Sequence, residues 1–237
     1  TASAKGLKAG GDIKISNATI TADTSDDSIH SNSNVTIESG TFNLKSGNDG
    51  IHADTSTVIN NGNIVIEKSY EGIEGSNVTI NGGTIELTAS DDGINSAGGS
   101  DSSSMGGRMG QNSFTENSDI YIKITGGKVT VDASGDGLDS NSNLIIEGGE
   151  IYVNGPTNDG NGALDYDGTA TISGGTFVAV GSSGMAQGFS DSSTQCSILY
   201  NLSSSHSAGE KITLADSSGN EILSYTSTKQ FSSVVIS

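Results

Sequence analysis

The sequence has one cysteine, one proline, no tryptophan and only ten basic residues among its 237 positions. A single cysteine excludes an internal disulfide bond. No stretch approaches the roughly 20 consecutive apolar residues of a membrane-spanning helix, and no basic-then-apolar signal sequence stands at the N-terminus. The 28 acidic residues give a net charge of −18. This charge argues against nucleic acid as a partner, which needs a basic surface, and against an anionic membrane.

Glycine is abundant, with 34 residues, and Ser, Thr, Asn and Asp accompany it throughout the chain. Such a composition can indicate disorder, but disordered segments lack regularly spaced apolar residues to bury. Here Ile, Val and Leu recur along most of the length. The composition resembles that of secreted bacterial surface proteins, so we expect an extracellular location at the cell surface.

One sequence motif recurs seven times. It is an isoleucine within a short alternation of apolar and polar residues, usually followed by glycine and a second alternating stretch. The spacing is 21 or 22 residues, apart from a gap of 44 after Ile80 and one of 26 after Ile146. A fixed period built from short strands and glycine corners is typical of a solenoid of stacked β-coils. The anchors, which we call the Ile15 column, are Ile15, Ile37, Ile59, Ile80, Ile124, Ile146 and Ile172.

Side chains alternate in direction along a strand, so the apolar residues of every coil are predicted to point inward. The repeat predicts two further inward columns beside the first. Three inward strands in a coil of about 22 residues fit a parallel β-helix, and crossover chirality favours the right-handed form. We therefore predict an all-β protein, a right-handed parallel β-helix. The Ile20 column is Ile20, Phe42, Ile64, Ile85, Val129, Ile151 and Phe177, and the Ile29 column is Ile29, Ile51, Ile73, Ile94, Leu138 and Leu164.

Two segments depart from the period. Residues 97–118 lack the Gly-Thr-apolar pattern, and we interpret them as an excursion loop rather than as a hidden coil. After about Ser190 the repeat ends, and the remaining sequence predicts antiparallel strands. Because the last coil of a solenoid exposes an open edge that needs a cap, we predict a β-helix over residues 1–195 and a C-terminal β cap over residues 196–237. Cys196 alternates with Ile198, which predicts a buried cysteine.

Acidic residues recur in the turn that precedes the Ile29 column. Stacked coils place equivalent residues about 4.8 Å apart, and two carboxylates at that distance repel by roughly 3.5 kcal/mol at an effective dielectric constant of about 20. Such a column is tolerated if the acids reach water, hold protons or share cations. We call Asp27, Asp49, Glu71, Asp92 and Asp136 the acidic column, and His30, His52, Glu74, Asn95, Asp139 and Asp165 the flanking column.

Oxygen ligands without thiolates, in turns that also offer carbonyl groups, predict Ca²⁺ as the shared cation. The alternative is that Asp-Gly is an ordinary turn, in which glycine accepts a positive φ, copied by repeat duplication. Glu71 with Glu74 favours calcium, because turn chemistry does not require glutamate. His30 and His52 also allow a transition-metal pair, with stacking of surface histidines as the alternative. The predicted calcium ligands are Asp27, Asp49, Glu71, Glu74, Asp92, Asp136 and Asp139.

Tyrosines provide candidate platforms for sugar rings. Tyr70, Tyr152 and Tyr166 fall at turn or outward positions, where a ring can stack on a sugar face; the alternative for each is a solvated tyrosine. His52 and Asn95 of the flanking column complete the predicted carbohydrate-binding residues.

The repeats at residues 77–84, 91–96 and 134–140 read Asn-Val-Thr-Ile-Asn-Gly-Gly-Thr, Asp-Asp-Gly-Ile-Asn-Ser and Ser-Gly-Asp-Gly-Leu-Asp-Ser. They resemble the secreted clostridial carbohydrate-binding β-helix family, which is distantly similar to pectate lyases. The Gly/Met-rich segment 105–110 and the tail 209–237 also match that pattern. The resemblance implies a right-handed parallel β-helix, bound calcium and an acidic plant polysaccharide such as polygalacturonate as ligand, with cellulose as a further candidate.

These observations lead to one favoured function and two alternatives. The favoured one is non-catalytic, calcium-bridged capture of polygalacturonate on the face that carries Asp49, Glu71, Glu74 and Asp92. A pectate-lyase-like enzyme typically uses arginine or lysine as its base, but the only arginine is Arg108, in the interrupted segment, and no lysine is expected in the acidic column. A hydrolase needs two carboxylates at a set separation, which this clustering does not single out. The second alternative is a structural adhesin or spacer whose acidic turns only keep it soluble.

Overall fold

The computed structural model describes residues 4–96 and 120–237, and the regular elements of these residues are all β-strands. The strands wind into a β-solenoid of about seven coils with mostly parallel pairing, as the repeat predicts. Each coil carries three strand positions, which we call the first, second and third faces. In the part of the chain that the structure describes, no helix is long and apolar enough to span a membrane.

The first face follows the acidic turns. Two of its strands are long and continue into the second face. Its members are β1 (Leu7–Ala9), β4 (Ile29–Ser31), β7 (Ile51–Ile59), β9 (Ile73–Ile80), β11 (Ile94–Ser96), β14 (Leu138–Ser140) and β17 (Leu164–Tyr166).

The second face carries the isoleucine anchors, and the third face follows the glycine corners. The remaining second-face strands are β2 (Ile13–Ile15), β5 (Asn34–Ile37), β12 (Tyr121–Ile124), β15 (Asn143–Ile146) and β18 (Ala170–Ile172). The third-face strands are β3 (Ala18–Asp23), β6 (Gly40–Lys45), β8 (Asn63–Ser69), β10 (Thr84–Ala89), β13 (Lys128–Ala133), β16 (Glu150–Asn154) and β19 (Thr176–Gly181).

The strand registers confirm the three predicted inward columns. Ile37 pairs with Ile59 on the second face, Phe42 pairs with Ile64 on the third, and Ile51 pairs with Ile73 on the first. In the inner coils the side chains of these three columns are buried, many with no exposed surface. Each buried Ile, Leu, Val or Phe contributes about 1.5–3 kcal/mol relative to an exposed one, so the stacked apolar columns form one continuous core.

The coils before and after the doubled period pair directly with each other. Ile80 pairs directly with Ile124, and Ile94 pairs directly with Leu138. The coils on either side of the interruption are therefore neighbours in the sheet. The predicted excursion loop at residues 97–118 itself lies outside the described residues.

Glycine serves two purposes in each coil, and one of them differs from the prediction. The corner before the third face needs a positive φ, as at Gly83 (+91°) and Gly127 (+89°). The turn glycines that follow the acidic residues, such as Gly93, do not have positive φ values. An added Cβ at Gly93 would lie 2.5 Å from the carbonyl oxygen of Gly137 in the next coil and would also meet Val131. Close stacking of coils, and not φ, is therefore the reason for glycine in these turns.

The C-terminal segment forms the predicted antiparallel strands. They are β20 (Ile198–His206), β21 (Lys211–Ala215), β22 (Glu221–Thr226) and β23 (Phe231–Ile236). Strand β23 pairs antiparallel with β19 of the last coil and with β20, while β21 and β22 form a separate two-stranded sheet. The last coil is thus covered along β19 by a strand of opposite direction.

The prediction that Cys196 is buried is wrong, because the thiol is exposed. Cys196 lies two residues before β20, which is the edge strand of the nine-stranded sheet. Ile198 and Tyr200 of this strand are themselves 47% and 61% exposed. Alternation in an edge strand beyond the coils does not imply burial, because no core lies beneath it at this point.

We predict that Gly93→Ala lowers the free energy of unfolding by about 1–3 kcal/mol, since the new methyl group must push the next coil away. Gly10→Ala is the matched control, because an added Cβ there meets nothing within 4 Å; its effect should stay below about 1 kcal/mol. Urea unfolding followed by circular dichroism measures both values. Equal stabilities of the two variants would contradict the close-stacking explanation.

Candidate functional site

The acidic column lies at the corner between the third and first faces and is held by main-chain hydrogen bonds between coils. The amide of Gly50 donates to the carbonyl of Glu71 at 3.0 Å, and the amide of Gly72 donates to the carbonyl of Asp92 at 3.0 Å. The amide of Gly93 continues the series to the carbonyl of Asp136 at 2.9 Å. The carbonyl groups of these turns are therefore engaged in stacking, and the side-chain oxygens remain as the main candidate ligands.

The flanking column is formed by residues that pair directly along the first face. His30 pairs with His52, and His52 pairs with Glu74. Asn95 lies between Glu74 and Asp139, and Asp139 pairs with Asp165. The acidic and flanking columns thus run side by side along the solenoid axis, as the spacing predicts.

The N-terminal end of the acidic column carries its own cations. The ammonium of Lys5 contacts the Oδ2 atom of Asp27 and lies 3.1 Å from Asp26 Oδ1. His30 Nδ1 lies 2.7 Å from Asp27 Oδ2. Burial opposes ionisation of Asp27, but the hydrogen bond from Lys5 and the amide of Asp49 hold the pKa of Asp27 below its ordinary value. The expectation that no lysine sits in the acidic column is therefore wrong.

The repeat motifs do not include Lys5, because this residue lies upstream of the first motif, near the start of the chain. Its partner Asp27 nevertheless follows it by 22 residues, which is the coil period. Continuing the period upstream of the first motif would have located this lysine.

In the next coil, His52 lies among several carboxyl groups and has no exposed surface. Its Nδ1 atom lies 3.2 Å from Asp49 Oδ2 and also contacts Glu74 Oε2, while its Nε2 atom lies 3.0 Å from Asp54 Oδ1. Burial alone would lower the pKa of His52, but hydrogen bonds to the carboxylates of Asp49 and Glu74 raise it. The His52 ring stacks on His30, with centroids 4.7 Å apart. Its burial leaves no ring surface for the predicted contact with a sugar.

At the C-terminal end of the acidic column, no cation of the described residues balances the carboxylates. Among the described residues, Asp92, Asp136 and Asp139 bring carboxylate oxygens within 4.8 Å of one another, and no lysine or histidine contacts them. A second group of the same kind joins Glu71 and Asp91 to Asp92. The C-terminal half of the column therefore concentrates negative charge without a protein cation to balance it.

Burial makes these carboxyl groups reluctant to ionise. Burial, followed by the charges of Asp136 and Asp91, raises the pKa of Asp92 to about 7. Burial and the charge of Asp165 raise the pKa of Asp136 to about 6, although its carboxylate accepts a hydrogen bond from the amide of Gly162. Burial also raises the pKa of Asp139 well above its ordinary value. Ionisation of these groups is therefore unfavourable unless a cation balances the charge.

Asn95 provides an independent sign of a ligand at this position. Asn95 is 6% exposed, and its Oδ1 atom is buried without a hydrogen-bond partner among residues 4–96 and 120–237. Its Nδ2 atom donates to Glu71 Oε2 at 3.0 Å, which orients the amide. An unsatisfied buried acceptor costs about 1–3 kcal/mol. Carboxylate and amide oxygens without sulfur or imidazole form the donor set that Ca²⁺ prefers, so these residues fit a calcium ion.

The three predicted tyrosines lie in different surroundings. Tyr70 is 44% exposed, directly before Glu71, and its hydroxyl bonds with Asp91, which raises its pKa. Tyr152 lies on the third face and stacks on Tyr225 of the cap, with centroids 5.2 Å apart. Tyr166 donates its hydroxyl proton to the carbonyl of Gly188 and packs against the core. Of the three, Tyr70 combines an exposed ring with a place beside the acidic column.

Comparison with known proteins agrees with a sugar-related role. Residues 1–50 and 33–113 match the sequence model of a family described as "Carbohydrate-binding domain-containing protein". The match supports a carbohydrate-binding family, and its description names neither polygalacturonate nor a pectate lyase. It ends within the first half of the chain, before Asp136 and Asp139. No curated protein and no solved structure matches the chain.

We predict that Asp92→Asn increasingly stabilises the metal-free protein as the pH rises from 3.8 towards about 7. In the folded state Asp92 keeps its proton up to about pH 7, whereas an ordinary Asp loses it near 3.8. The wild type therefore loses stability as the pH rises through this window, and the neutral amide removes that contribution.

Unfolding free energies measured with chelator at several pH values test this prediction. Asp191→Asn, on the exposed surface, is the control and should follow the wild type. A constant difference between Asp92→Asn and the wild type across the window would contradict the prediction.

Proposed function

We propose that this protein binds an acidic plant polysaccharide, polygalacturonate, without catalysing its cleavage, and that the binding depends on calcium. The observation that carries the proposal is the group of Asp92, Asp136 and Asp139, which lies beside the Oδ1 atom of Asn95; within the part of the chain that the structure describes, no cation balances the group and no hydrogen-bond partner reaches this atom. The match of residues 1–113 to a carbohydrate-binding family supports a sugar as the ligand. An extracellular location at the cell surface, expected from the composition, is part of the same proposal.

The residues that would hold the ion belong to the C-terminal half of the acidic column. Asp92, Asp136 and Asp139 supply carboxylate oxygens, and Asn95 supplies an amide oxygen. Asp27 is engaged with Lys5 and His30 instead. A bound Ca²⁺ takes six to eight oxygen ligands, so it supplies coordination positions that a uronate carboxylate can fill.

The charge of the chain makes a bridging cation necessary for this ligand. The protein has a net charge of −18, and polygalacturonate is a polyanion, so the two repel each other at long range. Divalent cations between the acidic column and the uronate groups convert that repulsion into attraction. The proposal therefore requires binding that disappears when calcium is removed.

Tyr70 is the residue that we assign to the sugar ring. It stands at the same corner as Glu71, and its ring is 44% exposed. A planar aromatic face next to a charged site can cover the apolar face of a sugar while the ions hold the carboxylates. The same contact would serve a neutral glucan, which keeps cellulose as a second ligand to be tested.

Among the described residues, no lysine or arginine pairs with Asp92, Asp136 or Asp139 to serve as the base that pectate lyases typically use. Lys5 reaches the acidic column, but its ammonium is paired with Asp26 and Asp27 and therefore has no free electron pair to accept a proton. Arg108 lies outside the described residues. Binding without cleavage is accordingly the function that the described geometry supports best.

We predict saturable binding of polygalacturonate in millimolar calcium, with loss of binding after chelation. Asp139→Asn should weaken calcium-dependent binding at least about tenfold, because it removes one charged ligand from the ion. Asp191→Asn, on the exposed surface, should bind like the wild type. Isothermal titration calorimetry with and without chelator measures these effects.

Three results would contradict this prediction. Affinity that persists in excess chelator would exclude a bridging calcium ion. Absence of binding in both conditions would leave the acidic turns with a spacer function. An unsaturated product that absorbs in the near ultraviolet would identify a lyase.

We further predict that Tyr70→Ala weakens polygalacturonate binding about two- to tenfold, because an aromatic contact contributes roughly 0.5–1.5 kcal/mol. Tyr200→Ala is the matched control, since Tyr200 is 61% exposed but lies on the cap. The same calorimetric titration compares the two variants. An unchanged affinity of Tyr70→Ala, or an equal loss in both variants, would exclude Tyr70 as the sugar platform.

A further inference from the structure

A second cluster of potential metal ligands surrounds His52, two coils away from the group of Asp92, Asp136 and Asp139. The Nδ1 atom of His52 lies 3.2 Å from Asp49 Oδ2 and contacts Glu74 Oε2. On the other side of the ring, Nε2 lies 3.0 Å from Asp54 Oδ1. The ring is thus enclosed by three carboxyl groups, one from its own turn, one from the next coil and one from its own strand.

One ring nitrogen of His52, Nδ1, faces carboxyl oxygens from two different coils. The Nε2 proton of His52 is donated to Asp54, which leaves at most one ring proton, on Nδ1. That single proton faces the carboxylate oxygens of both Asp49 and Glu74. One nitrogen and two oxygens therefore converge on one point, and a single N–H cannot align with both oxygens at once. A cation at that point satisfies all three.

The separation of two of the ligand atoms suits a small divalent ion, whereas the Glu74 carboxylate must move away from His52 Nδ1 to admit one. The three ligand atoms lie within 4.8 Å of one another. In a tetrahedral zinc site, bonds of roughly 2.0–2.2 Å place ligand atoms about 3.3–3.6 Å apart, close to the observed separation of 3.2 Å between His52 Nδ1 and Asp49 Oδ2. Small movements of Glu74, whose side chain is 15% exposed, open the cluster for an ion.

The contact between His52 and Asp54 is the orienting interaction that metal-bound histidines usually have. A ligating histidine donates its second ring N–H to a carboxylate or a carbonyl, which fixes the ring and the tautomer. Here Asp54 accepts that proton at 3.0 Å and leaves Nδ1 directed at Asp49 and Glu74. The partner that a metal ligand needs behind it is already in place.

We propose that Asp49, His52 and Glu74 form a transition-metal site, with zinc as the favoured ion. His30 is the residue placed to add a fourth ligand, because its ring stacks on His52 and its donor atoms belong to the neighbouring cluster with Asp27. Imidazole nitrogen suits Zn²⁺, whereas Ca²⁺ takes oxygen ligands. The site is therefore chemically distinct from the oxygen-only half of the acidic column and independent of the proposed sugar binding.

The test uses the whole protein, stripped with chelator and then transferred into excess calcium so that oxygen-only sites are filled. Calorimetric titration with zinc chloride should show one saturable equivalent. Titration with Co²⁺ should give the visible absorption bands of a low-symmetry site with a nitrogen ligand. Glu74→Gln, which keeps the shape of the side chain, should weaken zinc binding at least about tenfold, and circular dichroism should show that this variant is folded.

His206→Ala is the matched control, because His206 is a partly exposed histidine that also bonds to a carboxylate, Glu210, on the cap. It should bind zinc like the wild type. His52→Asn is the second variant and should lose the cobalt absorption. The proposal is overturned if zinc and cobalt do not bind saturably in excess calcium, if Glu74→Gln and His52→Asn bind like the wild type, or if His206→Ala abolishes binding.

Discussion

Parallel in-register stacking of coils is the interaction on which the rest of this structure depends. It places each residue beside its equivalent in the next coil, at the strand spacing of about 4.8 Å. For apolar residues this is favourable, because isoleucine packs on isoleucine through the core, as Ile51 does on Ile73. For carboxylates it is unfavourable, because the same spacing brings like charges together. The core and the acidic column are two results of one geometric rule.

The repulsion between stacked carboxylates is balanced differently at the two ends of the acidic column. Near the N-terminus, Lys5 and the stacked histidines bring positive charge or protons to Asp27 and Asp49. From Asp92 onwards, no cationic side chain of the described residues enters the column. Glycine in the acidic turns lets the coils approach closely and so keeps the carboxylates near one another. The turn sequence that makes close stacking possible therefore also concentrates the charge.

The sequence predicts the periodic part of the molecule well and the aperiodic part poorly. The Ile15, Ile20 and Ile29 columns follow from spacing alone, because every coil obeys the same alternation. Cys196 shows where this fails: the same alternation, applied to an edge strand beyond the coils, predicts burial that the structure does not provide. Contacts between residues that are far apart in the sequence also do not follow from the repeat pattern. The ring of Tyr225 covers Tyr152 although the two are far apart in sequence. The Asn95 oxygen that no described residue reaches with a hydrogen bond likewise depends on side-chain geometry that no motif encodes.

The direct pairing of Ile80 with Ile124 and of Ile94 with Leu138 has a further consequence. At the corner between β11 and β12, the length of the chain is uncoupled from the register of the sheet, since the coils before and after residues 97–119 pair as immediate neighbours. A solenoid with such a corner can acquire, lose or exchange a whole module there without moving a core residue. The same corner lies at the end of the strand that carries Asn95. Natural variation or protein engineering at this junction can therefore present new sequence next to the candidate site while the scaffold stays unchanged.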